Sequence, residues 1–263
     1  MNKKLIKTIA SITCGLGIVG TIPAIASSCG GQSETEEIIN PLPEDVYNID
    51  QNNVLKGFTS EFLDNPSAYS DCNTMLIPAS VTSIVDNAFY HNYASTIPSF
   101  IKKVTFAKGS KCNSIGSNTF AREDYSASTT TLILIDLSKC SSLTTIGSDA
   151  FRYNTSLASI TFPSSLESIG ETTFGSCRQL ISVTFPSSLK TIGAYAFIGC
   201  NLLLNNIKWN AWAGNTTLDP TSFSGVCRNG IVTVTNPIDD EHNSAALLAY
   251  LKQYGGLPDS WKY

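Results

Sequence analysis

Leu157-Ala-Ser-Ile-Thr-Phe-Pro-Ser-Ser-Leu-Glu-Ser-Ile-Gly-Glu-Thr-Thr-Phe174 is followed by a close copy of itself, Leu180-Ile-Ser-Val-Thr-Phe-Pro-Ser-Ser-Leu-Lys-Thr-Ile-Gly-Ala-Tyr-Ala-Phe197. The closing phenylalanines of the two copies are 23 residues apart. A phenylalanine closes every unit of the series, with spacings between 23 and 31 residues, at Phe89, Phe120, Phe151, Phe174, Phe197 and Phe223. An internal repeat of this length indicates a solenoid built from stacked coils.

Each unit opens with apolar residues at its first, fourth and sixth positions, the strand pattern of leucine-rich repeats. The fourth and sixth side chains point to one face because side chains alternate along a strand. One unit cannot cover this face alone, so successive coils must stack at roughly 4.8 Å. The pattern occurs at Cys72, Met75, Ile77; Ile101, Val104, Phe106; Leu132, Ile135, Leu137; Leu157, Ile160, Phe162; Leu180, Val183, Phe185; and Leu204, Ile207, Trp209, with a weaker seventh strand over residues 231–234.

We therefore predict a leucine-rich-repeat solenoid, a right-handed, strand-dominated α/β fold of about six or seven coils with a short C-terminal capping helix. The second half of each unit should send its Leu, Ile and Phe side chains inward, as in Leu189, Ile192 and Phe197. An Ile-Gly pair recurs in this half, and we expect its glycine to permit a turn that a side chain would strain. The pair stands at residues 115–116, 146–147, 169–170 and 192–193.

One combination of motifs is specific: a strand, Pro-Ser-Ser, Ile-Gly, a closing Phe and a Cys three residues later. It resembles the BspA-like class of bacterial surface leucine-rich repeats over residues 72–235. Units 157–177 and 180–200 match this class best, the first and sixth units are degenerate, and residues 90–99 and 121–130 are insertions. The resemblance implies a surface protein that binds a macromolecule.

The amino terminus has the pattern of a secretory signal: a basic start, Met1 to Lys7, and an uncharged stretch, Thr8 to Ile25. The segment Ile25-Ala-Ser-Ser-Cys29 resembles the bacterial lipoprotein signal. That resemblance implies removal of residues 1–28 and a diacylglyceryl group on Cys29, which would anchor the chain to the outer face of the cell membrane. The alternative is an uncleaved transmembrane anchor, because about eighteen uncharged residues approach the length of a membrane span.

Residues 29–50 are polar, acidic and interrupted by Pro41 and Pro43, and we predict a flexible tether there. Residues 51–71 should form the N-terminal cap and residues 72–235 the solenoid. Residues 236–263 should form a helical C-terminal cap with Leu247, Leu248, Leu251 and Trp261 turned inward. This end is similar to that of repeat lipoproteins from small wall-less bacteria. The alternative for the helix is an amphipathic partner-binding segment.

Charge and motifs exclude several functions. The whole chain has 17 basic and 21 acidic residues, and removal of the signal would leave 14 basic residues and a net charge near −7. This acidity argues against nucleic acid or an anionic membrane surface as a partner. The two histidines, His91 and His242, lie outside any metal or nucleophile motif, and the acidic run at 239–242 is best explained as a solvated turn. We predict no metal, no cofactor and no enzymatic activity.

The cysteines follow the repeat. Cys177 and Cys200 each stand three residues beyond the closing phenylalanine, an inward position that in leucine-rich repeats satisfies the loop backbone. Cys72 replaces a strand leucine, and Cys112 takes the place of Leu143 in the next unit. We interpret them as buried small residues first and disulfide candidates second. Stacked positions have the Cα spacing of a disulfide, so a bridge between Cys177 and Cys200 stays open.

The second, third and fifth residues of each unit should form an outward strand face, concave and rigid, suited to an extended partner. We propose a host or neighbouring-cell protein or glycan as that partner, with Ile133, Leu134 and Ile181 as apolar anchors. The alternative is a structural or antigenic coat protein without a specific ligand. The candidate partner-binding residues are Lys102, Lys103, Ile133, Leu134, Asp136, Ile181, Thr184 and Lys208.

Overall fold

A computed structural model describes residues 40–91, 94–122, 132–203, 207–210, 216–226, 232–235, 241–259 and 261. All of them belong to one compact unit that extends from Asn40 to Tyr263. The proposed signal and Cys29 lie outside the described residues. The elements are η1 (Glu44–Val46), β1 (Tyr47–Ile49), β2 (Val54–Phe58), α1 (Ser60–Asp64), η2 (Pro66–Tyr69), β3 (Thr74–Ile77), β4 (Ser83–Ile84), β5 (Tyr90–His91), β6 (Ala94–Ser95), β7 (Lys103–Phe106), β8 (Ser114–Ile115), β9 (Leu134–Asp136), β10 (Thr145–Ile146), β11 (Ser159–Thr161), β12 (Ser168–Ile169), β13 (Val183–Phe185), β14 (Thr191–Ile192), β15 (Ile207–Asn210), β16 (Thr217–Leu218), β17 (Val232–Thr235) and α2 (Glu241–Tyr254).

The opening strands of the units stack in parallel and in register, which confirms the solenoid. Val104 pairs with Ile135, and Ile135 pairs with Ile160, so the fourth residues of successive units form one column. Strands β3, β7, β9 and β11 form one sheet, and β13, β15 and β17 form another. The predicted seventh strand is present as β17. The fourth-position side chains are buried, as the alternation requires.

A separate sheet, called the second sheet below, runs along the coils and consists mostly of two-residue strands. It is distinct from the two sheets that the opening strands form. Its order is β1, β2, β4, β8, β10, β12, β14 and β16, and all pairs after the first are parallel. Ile115, Ile146 and Ile169 occupy equivalent places in it and are buried. The sequence predicted their inward direction but not this sheet, because two residues are too few for a strand periodicity.

The glycine of the Ile-Gly pair has a different role from the one expected. Neither Gly147 nor Gly170 has a positive φ. A Cβ on Gly170 would instead lie 2.5 Å from the backbone N of Ser148 and 2.7 Å from the carbonyl C of Gly147, in the preceding coil. The glycine is therefore required by the close approach of two backbones, and the expectation of a turn was wrong.

Positive φ values occur at two other places in the repeat. One lies two residues after the closing phenylalanine, at Tyr153, Ser176, Gly199 and Gly225. The other lies two residues before the closing phenylalanine, where no glycine stands in the units that adopt this conformation. Asn and Asp accept it because their side chains form local hydrogen bonds. The residues are Asn87, Asn118, Asp149, Thr172 and Tyr195.

The closing phenylalanines form one continuous stack through the core. The rings of Phe120 and Phe151 are nearly parallel, with centroids 5.3 Å apart and an interplanar angle of 2°. Phe174 lies 5.5 Å from Phe151 and 5.2 Å from Phe197. All are fully buried. Offset stacking at this distance stabilises ring pairs beyond the burial of their area, so the stack fixes the coil spacing on the inside.

The N-terminal cap begins earlier than expected. Leu42, Val46 and Tyr47 are buried, and the backbone N–H of Leu42 donates to the carbonyl of Thr74 at 2.9 Å. Strand β1 pairs antiparallel with β2, which continues the second sheet. The predicted boundary at residue 50 is therefore wrong, because residues from Asn40 onward cover the open edge of the first coil. Residues 29–39 of the predicted tether lie outside the described part.

The C-terminal helix covers the last coil, as predicted. Leu247, Leu251 and Trp261 are buried in the core, and the backbone N–H of Phe223 donates to the carbonyl of Gly255 at 2.8 Å. The apolar face of α2 is thus occupied within the chain, which leaves the partner-binding alternative without a free surface. Within the described ranges, neither α-helix has the length and apolar character needed to span a bilayer.

Candidate binding surface

The structure places all eight candidate residues on the outward side of the first strand column. Strand β11 shows the cause: its burial alternates exposed, buried, exposed. Ile133 and Ile181 retain 37% and 42% of their surface exposed. Of the eight, the exposed residues are Lys102, Ile133, Ile181 and Thr184, and the half-buried residues are Lys103, Leu134, Asp136 and Lys208.

Not every residue at a predicted outward position of the strand face is exposed. Thr74 and Thr105, the third residue of one unit and the fifth of the next, are 2% and 7% exposed. Thr74 is covered because Pro41 pairs with it as a parallel bridge. The available face therefore includes Lys102 of the second unit but is more open from the third unit onward.

An apolar row crosses this available face. The N–H of Ala158 donates to the carbonyl of Ile133 at 2.9 Å, and the N–H of Ile181 donates to the carbonyl of Ala158 at 3.3 Å. The two isoleucines are thus two coils apart, about 10 Å at ordinary strand spacing, with a small side chain between them. Two exposed branched side chains around a small one form a notch that an apolar group of a partner can enter.

A hollow of about 410 Å³ adjoins the row where the two sheets of the strand column meet. Its lining includes Thr161, Thr184 and Asn210, and its apolar part includes Phe162. Phe162 is half-buried, whereas the equivalent Phe185 is fully buried. No charged side chain is present among its lining residues.

The repeats match one family model, described as the BspA type leucine-rich repeat region, with six copies over residues 65–130 and 113–240. This match covers more than half of the chain. The chain belongs to the BspA-type leucine-rich-repeat family.

One solved structure agrees with the fold. The chain is similar to a leucine-rich repeat protein of T. pallidum, with 24% identity, a TM-score of 0.54 and coverage of 74% of this chain and 83% of that one. It is also similar to a leucine-rich cell surface protein of Faecalibacterium prausnitzii (15% identity, TM-score 0.40, 72% and 70% covered). A leucine-rich repeat protein of Bacteroides ovatus matches with 17% identity, a TM-score of 0.33 and 73% and 70% covered. No curated protein matches the sequence.

The BspA-type cysteine column satisfies backbone carbonyls, as predicted. The thiol of Cys177 donates to the carbonyl of Phe151 at 3.3 Å, and that of Cys200 donates to the carbonyl of Phe174 at 3.2 Å. Both cysteines are free thiols in this structure, so the open question of a bridge is answered against it. Burial raises the pKa of both thiols above the ordinary range. Neutral thiols of this kind are poor nucleophiles.

The preceding unit fills the same place with Asn154. Its Nδ2 donates to the carbonyls of Phe120 and Phe151, each at 2.9 Å. Asn154 was not predicted from the sequence, because the motif at this place is defined by a cysteine. The signal was its position, three residues after the closing phenylalanine.

Arg122 is a second residue that the sequence did not single out. It is buried, and its Nη1 donates to the carbonyl of Ile97 at 3.0 Å, which ties the two inserted loops together. Burial lowers the pKa of its guanidinium to about 10. The remainder of these loops, residues 92–93 and 123–131, lies outside the described part.

No group of three or more potential metal-ligating side chains occurs in the part of the chain that the structure describes. The acidic residues 239–240 lie outside that part, and the side chain of His242 is not described. The expectation of no metal at that turn stays a prediction.

Proposed function

We propose that this chain is a lipid-anchored binding module of the bacterial cell surface. It engages a protein or glycan of a host or neighbouring cell through the strand face of units three to five. The observation that carries the proposal is the exposed row of Ile133 and Ile181, with 37% and 42% of their surface free, just ahead of strands β9 and β13. Exposed apolar anchors on a rigid surface are where binding energy concentrates.

The face also supplies charges around the row. Lys103 is in register with Leu134, and Asp136 is in register with Thr161. Part of Asp136 is engaged internally, because its Oδ1 accepts the backbone N–H of Ser138 at 3.0 Å. Lys102 is engaged as well, because its Nζ donates to the carbonyl of Ser99 at 3.4 Å. The rim of the row therefore carries charges of both signs, which can set the orientation of a partner.

The anchor in this proposal is Cys29, from its resemblance to the bacterial lipoprotein signal. Two or three acyl chains hold a protein on a membrane firmly, since each buried methylene contributes about 0.8 kcal/mol. Membership of the BspA-type family is consistent with a surface location.

The test is a pull-down from host extracellular-matrix and membrane extracts with the full chain in mild detergent. The variant carries Ile133→Asp with Ile181→Asp, which should abolish capture of the partner and leave the melting temperature unchanged, since both side chains point outward. The matched control carries Thr145→Asp with Thr191→Asp, the same charges on the second sheet of the same coils. Capture should survive in that control.

A second pair of variants tests the strand register, that is, which residues of the third unit point into the core. Ile133→Asp with Leu134→Lys should fold, whereas Ile135→Asp should unfold neighbouring coils because it places a charge in the core. A variant at 133 and 181 that folds and captures the partner as well as the parent does would contradict the strand-face proposal.

The alternative function is a structural or antigenic coat. One observation favours it: the hollow beside the row is lined by hydroxyl groups without charge, such as Thr161 and Thr184. The same pull-down separates the two functions, because a coat protein captures nothing with either the parent or the variants.

A further inference from the structure

The hollow of about 410 Å³ on the strand face lies where two successive coils separate on one side only. Strand β11 pairs with β9 and strand β13 pairs with β15, but no ladder joins β11 to β13 among the described strands. The same two coils stay paired on the second sheet, where Ile169 is in register with Ile192. The coils are therefore closed on the second sheet and open on the strand side.

Distances between aromatic rings show the same opening. At the sixth position of the unit, the rings of Phe162 and Phe185 are 5.9 Å apart, whereas those of Phe185 and Trp209 are 4.8 Å apart. The closing phenylalanines of the two separated coils, Phe174 and Phe197, keep a spacing of 5.2 Å. Phe162 is half-buried and lines the hollow, although the other described sixth-position side chains are buried: Ile77, Phe106, Leu137, Phe185 and Trp209. The opening thus makes an aromatic residue of the core partly accessible.

Four exposed hydroxyl groups line the hollow together with this phenylalanine. They stand at the third and fifth positions of the two units: Ser159, Thr161, Ser182 and Thr184. None of the four is hydrogen-bonded within the part of the chain that the structure describes. Hydroxyls elsewhere in the repeat are bonded internally, as in Thr173, which donates to the carbonyls of Gly147 and Gly170. The four can therefore bond to a ligand, with spacings of about 5 Å between coils and about 7 Å along a strand.

The surroundings of the hollow favour a neutral ligand. No charged side chain is among its described lining residues. The charged residues beside it are opposite in sign, since Asp136 is in register with Thr161 and Lys208 is in register with Thr184. A charged ligand therefore gains little here, whereas a ligand with several hydroxyls can bond to groups that both donate and accept.

The width of the opening excludes an extended peptide between the two strands. A strand inserted between β11 and β13 would need about 4.8 Å on each side, or about 10 Å in all. The N–H of Ile181 still reaches the carbonyl of Ala158 at 3.3 Å, so the two coils are much closer than that. The volume of the hollow instead suits a small ligand of one or two rings.

A pyranose ring presents hydroxyls at its edge and C–H groups on its faces. It can therefore bond to the four hydroxyls and pack on Phe162 at the same time. Hydroxyls alone suit an inert coat, and the partly accessible phenylalanine distinguishes the hollow from such a surface. We propose that the hollow binds one neutral pyranose unit of a host or neighbouring-cell glycan. This inference rests on the proposed function of the strand face and specifies its partner.

The test measures binding to the full chain in mild detergent by titration with saturation-transfer NMR. The neutral probes are the methyl glycosides of glucose, galactose, mannose and N-acetylglucosamine. The comparison probes are methyl glucuronide as an acid, glucosamine as a cation and sorbitol as an open-chain polyol. At least one neutral glycoside should bind saturably and more tightly than all three comparison probes, and its affinity should not change with added salt.

Two variants locate the binding. Thr161→Val with Thr184→Val removes two hydroxyls and keeps the size of both side chains, and it should weaken binding at least about tenfold. Ser182→Leu places a larger side chain in the hollow and should remove binding. Both variants should fold, because all three side chains are exposed. The matched control is Thr145→Val with Thr191→Val, the same change on the second sheet, and it should bind as the parent does.

Absence of binding by all four neutral glycosides overturns the proposal, as does equal or tighter binding of a comparison probe. Equal affinity in the parent and in either folded variant of the hollow also overturns it. Should one of these variants not fold, the other decides. If no glycoside binds while the parent captures a partner through Ile133 and Ile181, the sugar site is wrong and the strand-face function stands. Glycoside binding by a chain whose pull-down captures nothing supports the sugar site and contradicts the macromolecular partner.

Discussion

Gly170→Ala tests whether the close approach of backbones, and not a turn, explains the Ile-Gly pair. The added Cβ would lie 2.5 Å from the backbone N of Ser148. An unstrained contact needs roughly 3.5 Å, so the two coils must separate by about 1 Å at this point. Hydrogen bonds cross the same gap: the N–H groups of Gly170 and Ser168 donate to the carbonyls of Ile146 and Thr144, each at 2.9 Å.

The magnitude follows from these contacts. Overpacking costs about 1 to 3 kcal/mol, and each weakened backbone hydrogen bond adds about 1 kcal/mol. The free energy of unfolding should therefore fall by about 2 to 5 kcal/mol. For a protein of this size each kcal/mol lowers the melting temperature by about 2 to 4 °C, so we expect a loss of about 4 to 20 °C.

The assay is thermal unfolding of the full chain in mild detergent, followed by circular dichroism. Gly175→Ala is the matched control, since its Cβ would meet its nearest atom, the carbonyl oxygen of Thr172, at 3.1 Å. The control should lose less than about 1 kcal/mol. A melting temperature of Gly170→Ala within about 2 °C of the parent, or an equal loss in the control, would refute the argument.

Three further predictions follow from the core and the anchor. Phe174→Ala should lower the free energy of unfolding by about 3 to 5 kcal/mol, because the ring fills the space between the rings of Phe151 and Phe197 at 5.5 and 5.2 Å. An unchanged denaturation midpoint would show that the ring stack does not fix the coil spacing. Burial raises the pKa of Cys112 to about 12, above the value of about 8.5 in an unfolded chain. The contribution of the buried thiol to stability is therefore complete below pH of about 8.5 and is lost as the pH rises toward about 12. Urea titrations across this pH window should show that the free energy of unfolding falls less in Cys112→Ala than in the parent. An identical fall in both proteins would contradict this prediction. Cys29→Ser should remain at precursor mass without lipid, and a mature-sized product in the detergent phase would contradict the anchor.

The strand register could be predicted from the sequence because it depends on a short periodicity. Residues such as Ile160 and Val183 alternate with polar neighbours, and a shift by one residue would expose them. The outward direction of Ile133 and Ile181 does not follow from this alternation, because both stand before the first residue of their strands; it was predicted from their place at the second position of the repeat unit. The covered position of Thr74 did not follow from it, because the covering residue, Pro41, belongs to a segment with no repeat pattern.

The N-terminal boundary was missed for a related reason. Residues 40–50 contain few apolar side chains, and composition alone indicates a chain that cannot fold by itself. They are ordered on a surface that the rest of the chain provides, since β1 pairs with β2 and Leu42 bonds to Thr74. A segment that completes an exposed edge needs little core of its own.

Two columns of the repeat show which of its residues can be exchanged. Asn154 replaces cysteine because the backbone carbonyl at that place requires a donor, and an amide N–H serves as well as a thiol. Gly147 and Gly170 have no such substitute, since any Cβ meets backbone at less than 3.0 Å. A unit therefore stays in register when its cysteine is changed to another donor. The glycine is present in units two to five, whereas the first and sixth units have Val85 and Asp219 in its place and still pair in register. The close approach of backbones that requires glycine is thus a property of the middle coils.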